Sequence, residues 1–295
     1  MDLEVVRRLI PSLRRARYVH LQGWGEPLCH PRFFEILREV KGAGCGVGTT
    51  TNGMLIGRKE AEALVSGGID LVSFSLAGID ETNDRIRVGT RIRDVLAAVD
   101  HLREIRSIRG YGRPRIHVAY LLLRSGLGFL DDFPDFFAGI GADEVVVSSL
   151  SLVPSRVLEE EAVLARDERE WSALLEKAED VAARSASQGI TFQFHLQAPG
   201  SSGTCMENVG RSLVVGFDGS VFPCVMLGLP VSKGCLRIFY GKEVPIERVV
   251  FGDVHAESVE DIWRKVGYRS FRKAVNTDSP PPVCQTCLKR WTVVV

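Results

Sequence analysis

Residues 17–28 read RYVHLQGWGEPL, a short run closed by two glycines and a proline. Val19 and Leu21 alternate with Tyr18 and His20, so the run reads as a strand that ends at Gly23. Upstream, Leu3, Val6, Leu9, Ile10 and Leu13 recur on a helical period. Downstream the same rhythm repeats. A helix is expected over 31–41 before the strand CGVGTTTNG (45–53), and another over 57–66 before IDLVSFSLAG (69–78). A long helix over 91–108 precedes RIHVAYLLLR (115–124), and one over 129–139 precedes DEVVVSSLSLVP (143–154). Five Val-, Ile- and Leu-rich strands alternating with helices imply an α/β fold with parallel pairing and right-handed crossovers, either an open sheet or a partial barrel. Ligands are then expected at the carboxyl ends of the strands.

The chain has 295 residues, 45% of them hydrophobic and 25% charged, with a formal net charge of zero. That composition provides a sizeable core and no basic excess to hold a phosphate backbone, so nucleic acid is not an expected partner. The start, MDLEVVRRLIPSLRR, has neither a signal-peptide core nor an apolar run long enough for a membrane span, which places the expected location in the cytoplasm. Seven cysteines in such a compartment favour metal binding or redox chemistry over a disulfide framework. Residues 157–189 read as a charged helix or helix pair forming a solvated outer layer. ITFQFHLQ (190–197) is one more strand, and the alternation stops at Pro199. The expected division is a larger unit over 1–190 and a smaller one over 191–295. In the latter, LVVGFDGSVFPC (213–224) reads as a hairpin turning at Asp218-Gly219.

Four cysteines belong to this smaller unit: Cys205, Cys224 and the CxxC pair Cys284 and Cys287. Four thiolates complete either a tetrahedral zinc site or a [4Fe-4S] cluster, and spacing alone does not choose. Zinc ribbons usually supply two close pairs, whereas Cys205 and Cys224 stand 19 positions apart, which tilts the reading toward iron and sulfur. In the larger unit three polar rims stand at strand ends: the glycine-rich turn with Glu26, placed to accept from a cationic amine, Asn52 in TTTNG, and Ser75 in SFSLAG. Three convergent rims make a pocket.

These residues resemble the radical S-adenosylmethionine (SAM) enzymes that carry a SPASM or twitch auxiliary-cluster domain. Trp24-Gly25-Glu26-Pro27 is similar to the family's GGEP turn, which holds the amino group of SAM, with Trp24 in place of the first glycine. Thr50 to Gly53 (TTNG) and Ser75 to Gly78 (SLAG) resemble the following strand ends, and ETNDRIRVGT (81–90) the segment after them. Gly219 five residues before Cys224, FGDVHAESVEDIWR (251–264) and the closing CxxC resemble the twitch pattern. The resemblance implies a partial (β/α) barrel lacking its first strand, SAM bound by Trp24, Gly25, Glu26, Asn52 and Ser75, and one auxiliary [4Fe-4S] cluster on Cys205, Cys224, Cys284 and Cys287. It implies cleavage of SAM to a 5′-deoxyadenosyl radical that modifies a peptide or a cofactor. The electron donor would be a ferredoxin or flavodoxin.

The family binds a catalytic [4Fe-4S] cluster with CxxxCxxC after its first barrel strand, and these 295 residues contain no such triplet. Cys29 and Cys45 stand sixteen apart and read as small buried apolar residues. The family order puts the loop before Met1, within roughly 20 to 30 upstream residues. A second cluster is therefore expected only with such a segment. The competing reading is a non-catalytic iron-sulfur protein that carries electrons. His20, His30, His117 and His195 read as core or rim histidines, Asp80, Glu81, Asp84 and Arg85 as surface loop, and Cys235 as a spare thiol near the hairpin. No general acid or base stands out.

Overall fold

The computed structural model describes residues 1–110, 112–199, 203–231 and 235–295. Helix α1 (Leu3–Leu13) starts where the Asp2 carboxylate accepts from the Glu4 amide, and it buries Leu3, Val5, Val6 and Leu9. The alternation then follows: β1 (Tyr18–Leu21), α2 (Phe33–Gly42), β2 (Gly46–Thr51), α3 (Arg58–Ser66) and β3 (Leu71–Leu76). After a short α4 (Thr82–Ile86) come α5 (Ile92–Arg109), β4 (Arg115–Leu121), α6 (Phe133–Ile140) and β5 (Glu144–Ser148). The charged stretch forms a pair, α7 (Arg156–Glu161) and α8 (Glu168–Ala186), with Asp167 capping the second, and leads into β6 (Thr191–Gln197).

Strands β1 to β6 lie side by side in chain order, every neighbouring pair parallel. That order is the signature of a (β/α) barrel arc rather than of a doubly wound sheet, in which the order reverses. A seventh strand from the carboxyl terminus, Thr292–Val294, pairs antiparallel with β6, so Thr292 faces Gln197 and Val294 faces His195. The period of two divides the sheet's faces. Val47, Val72, Phe74, Ile116, Val118, Val145, Val147 and Phe194 are fully buried under the helices. The opposite face presents Tyr18, His20, Thr50, Ser73, Ser75, His117, Glu144, Gln193 and His195. A sheet packed on both faces would read as continuous apolar runs, so this face is a polar groove by composition.

The smaller unit holds a three-stranded sheet of β7 (Val214–Val215), β8 (Ser220–Phe222) and, further on, Gly252–Asp253, with the second strand central. The β7–β8 turn closes at Gly219, whose φ of +84° and close contact with His255 suit only glycine. A second hairpin, β9 (Cys235–Phe239) with β10 (Lys242–Ile246), is followed by β11 (Gly252–Asp253), α9 (Val259–Arg264), α10 (Val266–Ala274), α11 (Pro282–Gln285) and β12 (Thr292–Val294). Val221, Val254, Ile262 and Tyr268 share one buried cluster with Val5 and Leu9 of α1, so apolar packing seams the two units together. The expected boundary at 190/191 falls ahead of β6, yet β6 is the sixth strand of the large sheet. Its buried Phe192, Phe194 and Leu196 belong to the main core, and β12 returns to cover its edge.

Candidate functional site

Four segments bring the predicted cysteines to one cavity. Cys205 is fixed where its amide donates to the Asn276 side chain at 2.9 Å. Cys224 follows β8 directly, and its carbonyl accepts from Leu227. Cys284 and Cys287 sit on successive tight turns, the amide of Cys284 donating to Pro281 and that of Cys287 to Cys284. All four line one small cavity, partly open to solvent, together with Glu207, Arg237, Arg290 and apolar residues that include Val209, Leu227 and Val275. Cys205, Cys224 and Cys284 are each 8% exposed. Burial pushes the Cys205 thiol up to about 11 and Cys284 to about 12, and it pushes Cys224 further still; neighbouring thiols add to each shift, and Arg290 and Arg237 oppose it at Cys284. The protein alone therefore holds these sulfurs as thiols, and ligation would have to supply the charge that ionises them.

The donor set fits an iron-sulfur core. A single zinc ion at about 2.3 Å from each sulfur draws four sulfurs to about 3.8 Å of one another. Among the described residues no three His, Cys, Asp or Glu side chains converge on one ion in that way, although four thiols share the cavity wall. Four cysteines on the wall of one cavity are a ligand set for a multi-iron core. Cys235 is half-buried and packs against the same cluster, but it does not line the cavity.

At the rim of the large sheet the Glu26 carboxylate is already engaged. It accepts from the Leu28 amide at 3.2 Å, the Thr51 hydroxyl at 2.7 Å and the Asn52 amide at 2.7 Å. A carboxylate has about four acceptor sites, so little remains for an incoming amine. Glu26 is a strut tying the turn to the end of β2. The turn itself stays open: a side chain at Gly23 or Gly25 would meet nothing within 4 Å. Among the described residues no backbone amide donates to the carbonyls of Gly23, Trp24 or Gly25. Asn52 caps its own turn, accepting from the Met54 amide at 2.9 Å, and Ser75 stands one residue from the end of β3. Trp24 is 46% exposed, and its indole donates at 3.2 Å to the carbonyl of Val225, next to Cys224. Trp24 thus links the glycine-rich turn to the cysteine cavity.

Three histidines share the polar groove. His20 is 2.8 Å from the Thr50 hydroxyl, and His117 is 3.4 Å from Glu144, which also accepts from Arg115 and Gln193. Burial lowers His20, His117 and His195 below the ordinary imidazole range; Glu144 partly offsets this at His117, and Lys289 adds to it at His195. All three are neutral at pH 7. His30 instead contacts the Met1 carbonyl at 2.9 Å.

Two residues read as surface or buried on sequence lie otherwise. Asp84 accepts from the Ile92 amide at 2.6 Å and so anchors the start of α5, beside a fully buried Asn83 whose side chain holds the Ala77 amide. Cys45 is buried, but Cys29 is exposed, because its Pro27–Cys29 turn points away from the core. Sequence reading did not single out Arg87. Burial lowers its pKa while Glu26 opposes the shift, and its Nε has no acceptor among the described residues. The RIRVG segment carries that signal only once its neighbours are known.

Residues 1–115 match the Radical SAM superfamily, and residues 205–288 match SPASM, an iron-sulfur cluster-binding domain. The chain is 24% identical over 98% of its length to a "Tungsten-containing aldehyde ferredoxin oxidoreductase cofactor-modifying protein" of Pyrococcus furiosus, spanning 80% of that protein. Its fold is that of Streptococcus suis SuiB bound to S-adenosylmethionine, with a TM-score of 0.65 at 16% identity over 97% of this chain. The chain spans 64% of SuiB's length. It also matches anSMEcpe with bound AdoMet and the Cp18Cys peptide, with a TM-score of 0.66 at 16% identity over 99% of this chain and 80% of that one. Among the described residues no helix is long and apolar enough to cross a membrane.

Proposed function

We propose that this chain, which joins a radical SAM segment (1–115) to a SPASM iron-sulfur segment (205–288), belongs to a SAM-dependent radical enzyme with one auxiliary [4Fe-4S] cluster, SAM cleavage requiring in addition a CxxxCxxC-bound cluster whose ligands these 295 residues do not contain. The observation that carries the reading is the convergence of Cys205, Cys224, Cys284 and Cys287 on one cavity. These four residues would hold the auxiliary cluster. The functional units then run from α1 to β6 with β12 added, and from Gly203 to Arg290, rather than dividing at 190.

Beside a reduced [4Fe-4S] cluster held by a CxxxCxxC segment, bound SAM would take one electron and supply a 5′-deoxyadenosyl radical, with methionine leaving, for hydrogen-atom abstraction from the substrate. The chain's part is to bind and orient. The open carbonyls of Gly23, Trp24 and Gly25 receive the amino group, while Glu26 and Asn52 hold the turn's shape. Ser75 and the half-buried Arg87 offer a hydroxyl and a cation to the carboxylate or ribose. The neutral histidines of the groove position a polar substrate without adding charge. A ferredoxin or flavodoxin is the reductant of matching potential.

The name of the Pyrococcus relative favours a cofactor as substrate, and the peptides in the SuiB and anSMEcpe structures favour a peptide. The second reading, an electron-carrying protein without SAM cleavage, shares the cysteine site and lacks the chemistry at the turn. Anaerobic reconstitution separates them. About four irons and four sulfides in the cysteine site, with SAM bound by the protein, supports the enzyme. The same iron without SAM binding supports the carrier, and stoichiometric zinc in place of iron defeats both.

A further inference from the structure

Arg237 and Arg290 line the cysteine cavity and are each only 4% exposed. A guanidinium removed from water requires a counter-charge or a full set of acceptors. The named partners of Arg237 are neutral: one Nη donates to the Val283 carbonyl at 2.7 Å and to the Thr286 hydroxyl at 2.6 Å, and its Nε has no acceptor among the described residues. Val283 and Thr286 flank Cys284 in the CxxC turn, so this arginine clamps the ligand loop from the β9 strand. Arg290 donates to the carbonyls of Thr277 and Gly203 at 3.0 and 3.5 Å. Among the described residues that line the cavity the carboxylate is Glu207, which is paired with Lys289 at 3.1 Å.

We propose that Arg237, with Arg290 beside it, is the charge partner of the auxiliary cluster and sets its reduction potential. The inference rests on the cluster reading above and deepens it. A core of charge about +2 ligated by four thiolates carries roughly −2, and the Arg237 guanidinium offsets part of that charge. Reduction adds one more negative charge, which buried cations stabilise more than they stabilise the oxidised form. Removing a cation therefore lowers the potential.

The test uses the full chain reconstituted anaerobically as wild type, Arg237→Gln, Arg237→Lys and Arg290→Gln. Iron and sulfide are counted, and each protein is titrated with dithionite at controlled potentials while the reduced cluster is followed by electron paramagnetic resonance. The expected result is full iron in each protein. The ratio of reduced to oxidised cluster at fixed potential falls about tenfold in Arg237→Gln, or roughly 59 mV for a one-electron couple, with most of the wild-type value kept in Arg237→Lys. Should Arg237→Gln fail to fold, Arg290→Gln, on a different segment, is expected to fall in the same direction. Unshifted midpoints in the neutral variants that carry full iron would overturn the charge-partner role and leave the cluster standing. A wild-type chain that takes up no iron would instead remove the reading beneath it.

Discussion

Replacing Glu26 by alanine distinguishes a structural strut from an amine acceptor. Its carboxylate receives three hydrogen bonds, from Leu28, Thr51 and Asn52. Bonds to a charged group contribute about 1.5–3 kcal/mol each, and removing the acceptor leaves the donors to find water. Glu26 is half-buried, so water reaches part of the site and the three contributions do not add; a net loss of about 2–4 kcal/mol is the worked expectation. At roughly 2–4 °C per kcal/mol, the ligand-free variant should melt about 5–12 °C below wild type by calorimetry. Glu26→Gln should fall about half as far, because its amide NH₂ turns a donor toward the Thr51 hydroxyl or a backbone amide. A carboxylate held ready for an amine would behave differently. Unchanged melting of the ligand-free Glu26→Ala protein, with SAM binding lost, would refute the strut.

Asp70 tests pH dependence. Burial alone would push its pKa up, but hydrogen bonds from Lys41, the Val47 amide and Arg113 outweigh it and hold the carboxyl below its ordinary value. A depressed folded-state pKa contributes stability that is present above the unfolded value and lost as pH falls, so denaturant midpoints should decline from about pH 5 downward. In Asp70→Asn that acid limb flattens, with about 2 kcal/mol lost at pH 7. Gly48→Ala should destabilise by about 1–3 kcal/mol, since the new carbon would lie 2.0 Å from the Tyr18 hydroxyl. Adding Tyr18→Phe should recover part of that loss in the same denaturant titration. Trp24→Phe removes the bond to Val225, so hydrogen exchange at residues 224–227 should speed up several-fold while the melting temperature moves by only about 2–4 °C.

The parallel arc was legible because five short strand runs alternate with helix-period runs, which leaves few topologies. β6 lies beyond the expected boundary at 190, although the break in composition follows it at Pro199. Its partner, TVV at 292–294, is too short to read as anything but a tail. The cysteines were legible as a set, since four thiols with a terminal CxxC have few uses in one domain. Arg237 and Arg290 were not, because an arginine on a short strand or after a CxxC ordinarily reads as solvent-facing. Glu26 was recognised as a polar rim, but its role depends on Thr51 and Asn52, 25 and 26 residues on, being brought beside it by the β1–β2 pairing. Cys29 read as buried because nothing in PLCHP reveals which way a short turn faces.

The central claim is that four sulfurs close around a single iron-sulfur centre. Its most direct test is an anomalous difference map collected at the iron edge from crystals of the anaerobically reconstituted chain. The account predicts one compact iron peak at bonding distance from the sulfurs of Cys205, Cys224, Cys284 and Cys287, resolving into about four irons. A peak at the zinc edge instead, or iron bound away from these four residues, would contradict it.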